Sequence, residues 1–268
     1  MKFLKIEYNP EKAILFQKIG VDRIFLDLEI LGKKERQKGL DTIISESHSI
    51  NDVKKLSSVL TSSELLVRIN PLNINSESEI EKCIKDGADV IMLPMFKTKK
   101  EVQSFINIIN KRVKTCLLLE TSQALCRIDD ILSVDGIDEI HIGLNDLHLS
   151  MGLDFMFELL SGGIVEYVIK KIKPFDIKFG FGGIAPLDKG LISGEMILKE
   201  HVRLNSSSVI LSRPFDALLD NDFQSFEDSF IKLKNKHSFL INNRSKIDFK
   251  NNMITIKKNI VNILKNKL

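Results

Sequence analysis

Eight short apolar segments alternate with helical patterns along this chain of 268 residues. They comprise residues 2–8, 22–29, 64–71, 89–95, 114–121, 139–146, 177–185 and 207–214. Each is an almost continuous apolar run, which is typical of parallel strands that are covered on both faces. Eight strand–helix units in one chain predict an α/β fold, the (β/α)8 TIM barrel. A doubly wound open sheet is the alternative, but it often carries a GxGxxG turn, and the sequence contains none.

Three glycines mark the ends of predicted helices. Gly20, Gly87 and Gly136 each follow a helical pattern and directly precede an apolar segment. Glycine is favoured just after a helix because the backbone there often adopts a positive φ. We therefore predict that the chain leaves a helix and enters a strand at each of these positions.

The charge of the chain is unevenly distributed. The 39 basic and 36 acidic residues give a net charge of +3, yet residues 231–268 contain ten basic residues and one acidic residue. A basic tail can bind nucleic acid or a membrane surface, or it can be the solvated face of a helix. We favour the solvated face and predict no nucleic-acid or membrane partner. We predict a barrel over residues 1–230 and a basic helical extension over residues 231–268.

The apolar runs and the cysteines indicate the compartment. No run is long enough to span a membrane, and the N-terminal segment lacks the apolar core of a signal peptide. Cys83, Cys116 and Cys126 are odd in number and show no CxxC spacing, which argues against a zinc site or a disulfide framework. We predict a cytoplasmic protein with reduced cysteines, of which Cys83 and Cys116 are packed in the interior.

Polar side chains follow the apolar segments. In a (β/α)8 barrel the chemistry takes place at the carboxyl ends of the strands, so these side chains would gather at one rim. They are Asp27, Glu29, Arg68, Asn70, Glu120, Thr121, Asn145, Asp146, Ser212 and Arg213. A barrel built for stability alone does not require several carboxylates and two arginines at the same end.

Glu120 and Asp146 end two segments that are consecutive in the sequence. Two carboxylates with room for water and substrate oxygens are a common way to hold Mg2+. Alternatively, each carboxylate caps the helix that follows it. The pattern alone supports both interpretations equally.

Arg68 lies among apolar residues in the third segment, where burial of its charge is costly unless an anion meets it. Its planar guanidinium suits a substrate carboxylate, but an ion pair with Asp27 or Glu29 would also satisfy it. His148, just beyond Asp146, is a candidate base or a hydrogen-bonded structural residue.

Glycines at 180, 182 and 183 form the GFGGIA motif of the seventh segment. They could bring backbone amides close to a phosphate, or simply allow close packing at a barrel corner.

Four motifs follow one another in the first 155 residues: FLDLE, VRINPLN, GADVIMLPMFKTKKEV and LLLETSQALCRIDDILSVDGIDEIHIGLNDLHLSMGL. In this order and spacing they resemble the HpcH/HpaI aldolase and citrate lyase β-subunit family, and the resemblance extends over about residues 21–215. The combination of GADVIMLPM with the ETxxAL and GxNDL segments is fairly specific, whereas each piece alone would not be.

The resemblance implies a metal-dependent carbon–carbon lyase, or class II-type aldolase, that acts on a 2-oxo acid or a related hydroxyacyl compound. The implied metal ligands are Glu120 and Asp146, with Mg2+ or Mn2+ as the cofactor. Arg68 would hold the substrate's carboxylate or developing enolate oxygen, and Gly143 and Asn145 would contact the substrate. Asp27 and Glu29 would lie beside the waters on the metal. Alternative functions are a phosphosugar- or phosphoenolpyruvate-type barrel enzyme and a non-catalytic binding protein.

One position departs from the family pattern. Aldolase-type members have a histidine, and citrate-lyase-type members a second acid, at the position that Ile30 occupies here. The usual base is therefore absent at this position, and a metal-bound water, His148, Asp27 or a residue of a neighbouring subunit would take its place.

The C-terminal segment NNMITIKKNIVNILKNKL predicts an amphipathic helix. Its predicted apolar side consists of Ile254, Ile256, Ile260, Val261 and Ile263. An exposed apolar stripe must be buried somewhere. Because family members commonly form symmetric oligomers, we predict a homo-oligomer in which this helix packs on a neighbouring subunit.

Overall fold

A computed structural model describes residues 1–32, 49–220 and 222–266 of the chain. Its eight parallel strands form a closed barrel in sequence order, and β8 pairs with β1. The strands are β1 (Lys2–Ile6), β2 (Arg23–Asp27), β3 (Glu64–Arg68), β4 (Val90–Leu93), β5 (Lys114–Leu119), β6 (Glu139–Ile142), β7 (Lys178–Ile184) and β8 (Ser208–Leu211). Each lies within one of the eight predicted segments, and the (β/α)8 barrel is confirmed.

Helices surround the barrel and connect its strands. They are α1 (Pro10–Lys18), α2 (Asp52–Ser57), α3 (Ser76–Lys85), α4 (Lys99–Ile109), α5 (Ser122–Cys126), α6 (Ile128–Leu132), α7 (Leu144–Ser150), α8 (Glu158–Ser161), α9 (Ile164–Ile172), α10 (Gly194–Leu204), α11 (Arg213–Leu219), α12 (Phe223–Asn242) and α13 (Phe249–Lys265). Short 3-10 turns span Lys173–Phe175 and Arg244–Lys246. Among the described helices, none is both long and apolar enough to cross a membrane.

The strands are buried on both faces, which explains their unbroken apolar runs. Side chains of alternate residues point into the barrel and fill it, and the others pack beneath the helices. The interior cluster is Leu4, Phe25, Leu66, Val90, Met92, Cys116 and Leu118. Because this interior is packed with apolar side chains, the barrel is a solid core with two polar ends.

The predicted helix-ending glycines all have a positive φ. The values are 85° at Gly20, 98° at Gly87 and 93° at Gly136. An added Cβ at Gly87 would lie 2.8 Å from Cβ of Ser57, so both the backbone conformation and the space exclude a larger residue there. This prediction is confirmed.

The thiols of Cys83 and Cys116 are free and buried, as predicted, and that of Cys126 is free and exposed. Burial raises the pKa of the Cys83 thiol to about 12. The Cys83 thiol is consequently protonated at neutral pH and is a poor nucleophile.

A buried ion-pair cluster closes the amino-terminal end of the barrel. Arg23 is fully buried and donates hydrogen bonds to both Glu64 and Glu139, at 2.6–3.0 Å. Lys2 and Lys114 also pair with Glu64. Although burial opposes ionisation of Glu64, these cations hold its pKa at about 2. None of its residues belongs to the polar rim that the sequence predicts.

The C-terminal helix α13 packs on its own chain, against α10 and α8. Ile256 and Ile260 are buried there, but Ile254 and Val261 are 42% and 50% exposed. Ile254 and Val261 therefore lie on a different side of the helix from the two buried isoleucines, so the five residues do not form one buried side within this chain. The side chain of Asn252 fixes the rotation of the helix instead, because its amide donates to Glu200 Oε1 at 2.7 Å. The domain division at residue 230 and the homo-oligomer stay predictions.

Candidate active site

The carboxyl ends of β2 and β3 place an aspartate beside an arginine. Asp27 and Arg68 are direct partners in the parallel register, and they occupy alternate, inward-facing positions on their strands. Glu29 follows two residues after Asp27 on the loop that leaves β2. Strand register therefore brings Asp27 and Arg68 together at the barrel mouth, and the loop after β2 brings Glu29 to them.

Arg68 forms a two-pronged ion pair with Asp27. Its Nε donates to Oδ1 at 2.8 Å and its Nη2 donates to Oδ2 at 2.7 Å. Glu29 Oε2 lies 3.3 Å from Arg68 Nη1. Burial disfavours the charged arginine, but Asp27, Glu29 and Glu120 together raise the pKa of Arg68. Arg68 thus forms the predicted ion pair with Asp27 and Glu29, and it is a permanent cation at the barrel mouth.

Glu120 follows β5 and is nearly fully buried. Its Oε1 accepts a hydrogen bond from the backbone N–H of Met95, at 3.1 Å. Met95 has a φ of 54°, in the left-handed region that is uncommon for a non-glycine residue. Thr121, not Glu120, caps α5, since its hydroxyl accepts from the N–H of Ala124. The helix-cap interpretation of Glu120 is therefore wrong.

Asp146 lies in the first turn of α7, a helix that has no side-chain cap. Its Oδ1 is buried and has no hydrogen-bond partner among the described residues. Burial raises the pKa of Glu120 well above its usual value, Arg68 lowers it, and the nearby charges of Asp146 and Glu29 raise it further. The predicted metal-binding carboxylates thus belong to one electrostatic cluster, in which Arg68 offsets only part of the effect of burial and of the neighbouring negative charges.

Gly143 keeps space for Glu120. A Cβ built at Gly143 would lie 3.0 Å from both Cβ and Oε2 of Glu120, so a larger side chain would press on that carboxylate. Asn145 is exposed on the following turn. Gly143 therefore lies beside the carboxylate cluster, whereas substrate contacts by Gly143 and Asn145 stay predictions.

His148 is buried, and its Nδ1 lies 3.2 Å from the carbonyl oxygen of Leu144, one turn earlier in α7. No hydrogen bond joins it to Arg68, Glu120 or Asp146 within the described parts of the chain. This geometry favours the interpretation of His148 as a hydrogen-bonded structural residue. A role for His148 as base stays a prediction.

The carboxylate cluster fits a divalent cation. The buried, unpartnered Oδ1 of Asp146 and the raised pKa of Glu120 are features that a cation would relieve. Residues 1–32, 49–220 and 222–266 contain no group of three or more histidine, cysteine or carboxylate side chains arranged to hold a metal. Glu120 and Asp146 would thus hold Mg2+ or Mn2+ as two ligands, and oxygens of water or substrate would complete the shell.

The glycines of β7 are explained by packing. An added Cβ at Gly180 would lie 2.3 Å from Ser208 Oγ, and one at Gly182 would lie 2.7 Å from Leu144 Cδ1. The register of β7 against β8 shifts between Gly180 and Gly183, where the strand bulges. The hydroxyl of Ser212 donates to the carbonyl oxygen of Ile184, which ties β8 to this bulge.

Two features of the site had only weak signals in the sequence. The left-handed Met95 is preceded by Pro94 and lies in the MLPMF motif, where nothing marks a positive φ at methionine. The sequence predicts only a polar strand end at Asn70, but its side chain joins two loops. Neither contact can be derived from spacing, because each joins residues that are 25 or 40 positions apart.

A comparison with known families shows which family the chain belongs to. The model of the HpcH/HpaI aldolase/citrate lyase family matches residues 12–158. The chain belongs to this family. Among curated family relatives, the hydroxypyruvate/pyruvate aldolase of Rhizorhabdus wittichii is 30% identical over 142 residues. That match covers 41% of this chain and 55% of the relative, so the chain spans about half the length of this relative.

Solved structures of the family share the fold. The HpcH/HpaI aldolase from Desulfitobacterium hafniense has a TM-score of 0.65 at 15% identity, over 84% of this chain and 92% of that one. A citrate lyase β-subunit from Mycobacterium tuberculosis, complexed with oxaloacetate and magnesium, has a TM-score of 0.55 at 16% identity. That comparison covers 85% of this chain and 96% of the other. At these identities the likeness establishes the fold alone.

Proposed function

We propose that this protein is a metal-dependent carbon–carbon lyase that acts on a 2-oxo acid of the pyruvate or oxaloacetate type. The observation that carries this proposal is the juxtaposition of a fixed cation, Arg68, with the under-compensated carboxylates Glu120 and Asp146 at one barrel mouth. A 2-oxo acid has an anionic carboxylate, which suits Arg68, and a polarisable carbonyl, which suits a cation held by Glu120 and Asp146.

Arg68 contributes a cation that is in place before the reaction. Cleavage of a bond next to a 2-oxo group leaves negative charge on the 2-oxo acid fragment, and a preorganised cation stabilises that charge. Asp27 holds the guanidinium from one side through two hydrogen bonds, which fixes its plane. Glu29 lies beside Nη1 and, together with Asp27, supplies carboxylates that can hold or move a proton near the substrate.

Glu120 and Asp146 would hold the divalent cation. When bound, the cation acts as a Lewis acid that polarises the substrate's carbonyl oxygen. The amide of Met95 and the absence of a side chain at Gly143 fix the direction of the Glu120 carboxylate. The similar proteins support the same class, since one is a hydroxypyruvate/pyruvate aldolase and another is a citrate lyase β-subunit that is complexed with oxaloacetate and magnesium.

The variant Glu120→Gln tests the proposal. We expect it to lower Mg2+-dependent turnover of oxaloacetate, or aldol cleavage that yields pyruvate, by at least about a hundredfold, because a neutral amide is a poor ligand for Mg2+. Its thermal midpoint should not fall, since glutamine keeps the volume of the buried side chain. Glu81→Gln is the matched control, because Glu81 pairs with Arg112 at the protein surface. Full activity of the Glu120→Gln variant would refute the proposal.

A thermal-shift series separates the alternative functions. We expect pyruvate or oxalate to raise the unfolding temperature only when Mg2+ is present. A shift with phosphosugars or phosphoenolpyruvate, but not with oxalate, would instead indicate a phosphate-binding enzyme. Binding of Mg2+ and oxalate without turnover of any 2-oxo acid would indicate a binding protein on the same scaffold.

A further inference from the structure

The loop that leaves β2 is held by a side chain from the neighbouring loop. Two consecutive backbone N–H groups, those of Ile30 and Leu31, donate to Oδ1 of Asn70 at 3.0 and 3.1 Å. Asn70 lies two residues beyond Arg68, at the start of the loop that leaves β3. One amide oxygen thereby joins the loops that follow the two strands carrying Asp27 and Arg68.

The other end of the Asn70 amide is held as well. Its Nδ2 donates to Oε1 of Glu79 at 2.8 Å, and the backbone N–H of Asn70 approaches the same oxygen at 3.3 Å. Glu79 lies in α3 and is partly buried. With two donors facing Oδ1 and an acceptor facing Nδ2, only one orientation of the amide satisfies all the contacts.

The contacts of Asn70 with Ile30 and Leu31 hold the segment that directly follows Glu29. Glu29 is nearly fully buried, and its carboxylate lies 3.3 Å from Arg68 Nη1. Its own backbone N–H donates to Asp27 Oδ1, so the chain from Asp27 to Leu31 is fixed by side-chain acceptors at three successive amides. Without Asn70, the amides of Ile30 and Leu31 would lose this shared acceptor, and the segment that directly follows Glu29 would be held less firmly.

We propose that Asn70 and Glu79 form a clamp that sets the distance of Glu29 from Arg68 and thereby positions the substrate-facing carboxylates of the mouth. The clamp uses backbone contacts, so it is indifferent to the side chain at residue 30, and Ile30 is accommodated there. The two residues are positioning residues, and their effect on turnover rests on the proposed lyase function. A small displacement of a reacting group can cost about a hundredfold in rate.

Three variants test the clamp through exchange of donor and acceptor, and a fourth is the control. Asn70→Asp keeps an acceptor for the two amides but places a carboxylate against Glu79, so we expect kcat/KM to fall about 10- to 100-fold. Glu79→Gln keeps an acceptor for Asn70 and should stay within about threefold of the wild type. The double variant Asn70→Asp/Glu79→Gln restores a donor–acceptor pair in reversed order. We expect it to recover most of the loss.

The fourth variant, Asn73→Ala, is the matched control. Asn73 lies in the same loop, but its side chain contacts Pro71 and Asn75 rather than the β2 loop. It should leave kcat/KM and KM unchanged. A purely structural role for Asn70 predicts no rescue by the double variant beyond recovery of the thermal midpoint, and that result would overturn the proposal.

Hydrogen exchange of the peptide that covers residues 28–32 gives a readout without any substrate. Asn70→Ala should speed exchange at the amides of Ile30 and Leu31 about tenfold or more, whereas Asn73→Ala should not. If the wild-type protein turns over no 2-oxo acid but the exchange result holds, the proposed function fails and the clamp stands. Unchanged exchange, or faster exchange with unchanged kcat/KM in an active enzyme, would overturn the positioning role.

Discussion

Three inward-facing side chains of β2 have different roles at the two ends and in the middle of the barrel. Arg23, Phe25 and Asp27 all face the barrel interior, at successive inward positions. Arg23 anchors the amino-terminal cluster, Phe25 fills the core, and Asp27 holds Arg68 at the mouth. Each charged residue is buried only because a partner from another strand meets it, which is the condition under which proteins tolerate buried charge.

Replacing Arg23 tests the energetic weight of the amino-terminal cluster. Arg23→Ala leaves Glu64 and Glu139 without their shared buried cation, so we expect the free energy of unfolding to fall by about 3–5 kcal/mol. Urea unfolding monitored by circular dichroism measures this change. Turnover per folded molecule should stay the same, because the cluster lies at the opposite end of the barrel from Arg68.

Arg112→Ala is the control for the Arg23 variant. Arg112 also forms an arginine–glutamate pair, with Glu81, but both side chains are substantially exposed. Exposed pairs of this kind contribute at most about 1 kcal/mol. Equal losses in the two variants would show that burial does not govern the strength of the Arg23 cluster.

The sequence allows some contacts between charged side chains to be predicted, but not all of them. The strand-end position of Asp27 and Arg68 was enough to place them at one rim, because parallel register brings strand ends together. Arg23 could have been found from the same alternation, since it is two residues before Phe25 and four before Asp27. The Met95 contact with Glu120 could not, because it depends on a left-handed turn that no residue type signals.

At the scale of elements, the C-terminal helix shows how a polar contact decides which apolar residues are buried. Several isoleucines and a valine lie around α13, so its sequence permits more than one buried face. Asn252, which contacts Glu200 and the carbonyl oxygen of Met196, selects the face that contains Ile256 and Ile260. The strands are apolar on both faces, so no choice between a buried and an exposed face arises. Their positions could therefore be predicted from the sequence.

A pair of truncations tests which face of α13 is buried in solution. Ile256→Ala should lower the free energy of unfolding by about 2–5 kcal/mol, because it opens a cavity against α10. Val261→Ala should change it by less than about 0.5 kcal/mol, since Val261 is half exposed. Chemical denaturation at several protein concentrations measures both. A large, concentration-dependent loss for Val261→Ala would show that this face is covered by a second copy.

At the scale of the whole molecule, two buried histidines link stability to pH. His141 is buried within the barrel wall, and burial lowers its pKa to about 4. His201 stacks on Phe181 with ring centroids 3.8 Å apart, and both of its ring nitrogens are buried without partners in the described structure. Burial lowers the pKa of His201 well below its usual value. Both are therefore neutral in the folded protein at mildly acidic pH.

We expect these two histidines to make the folded state less stable as the pH falls from about 6.5 to about 4, whereas the raised pKa of Glu120 acts in the opposite direction. In this window the unfolded chain binds protons at these histidines and the folded chain does not, so unfolding is favoured as the pH falls. Each unit of pKa difference corresponds to about 1.4 kcal/mol, and His141 alone contributes up to about 3 kcal/mol when the window is complete. The strongly paired carboxylate of Glu64 titrates below this window. Urea midpoints at successive pH values measure the decline.

His201→Phe is the control for this pH dependence. Phenylalanine keeps the stacking on Phe181 and removes a titratable ring whose nitrogens make no hydrogen bond within the described part of the chain. The variant should lose less stability on acidification than the wild type. An identical decline in both proteins would exclude His201 as a contributor.

The filled interior of the barrel separates its two polar ends. Arg23 and Asp27 are four residues apart on β2, a separation of about 13 Å. Perturbations at such a distance, with no shared partner, usually add without coupling. The two ends of the barrel can consequently be changed independently. Thermal stability can be engineered at the amino-terminal end, and substrate preference can be engineered at the mouth. Mutational drift at one end likewise leaves the other free to evolve.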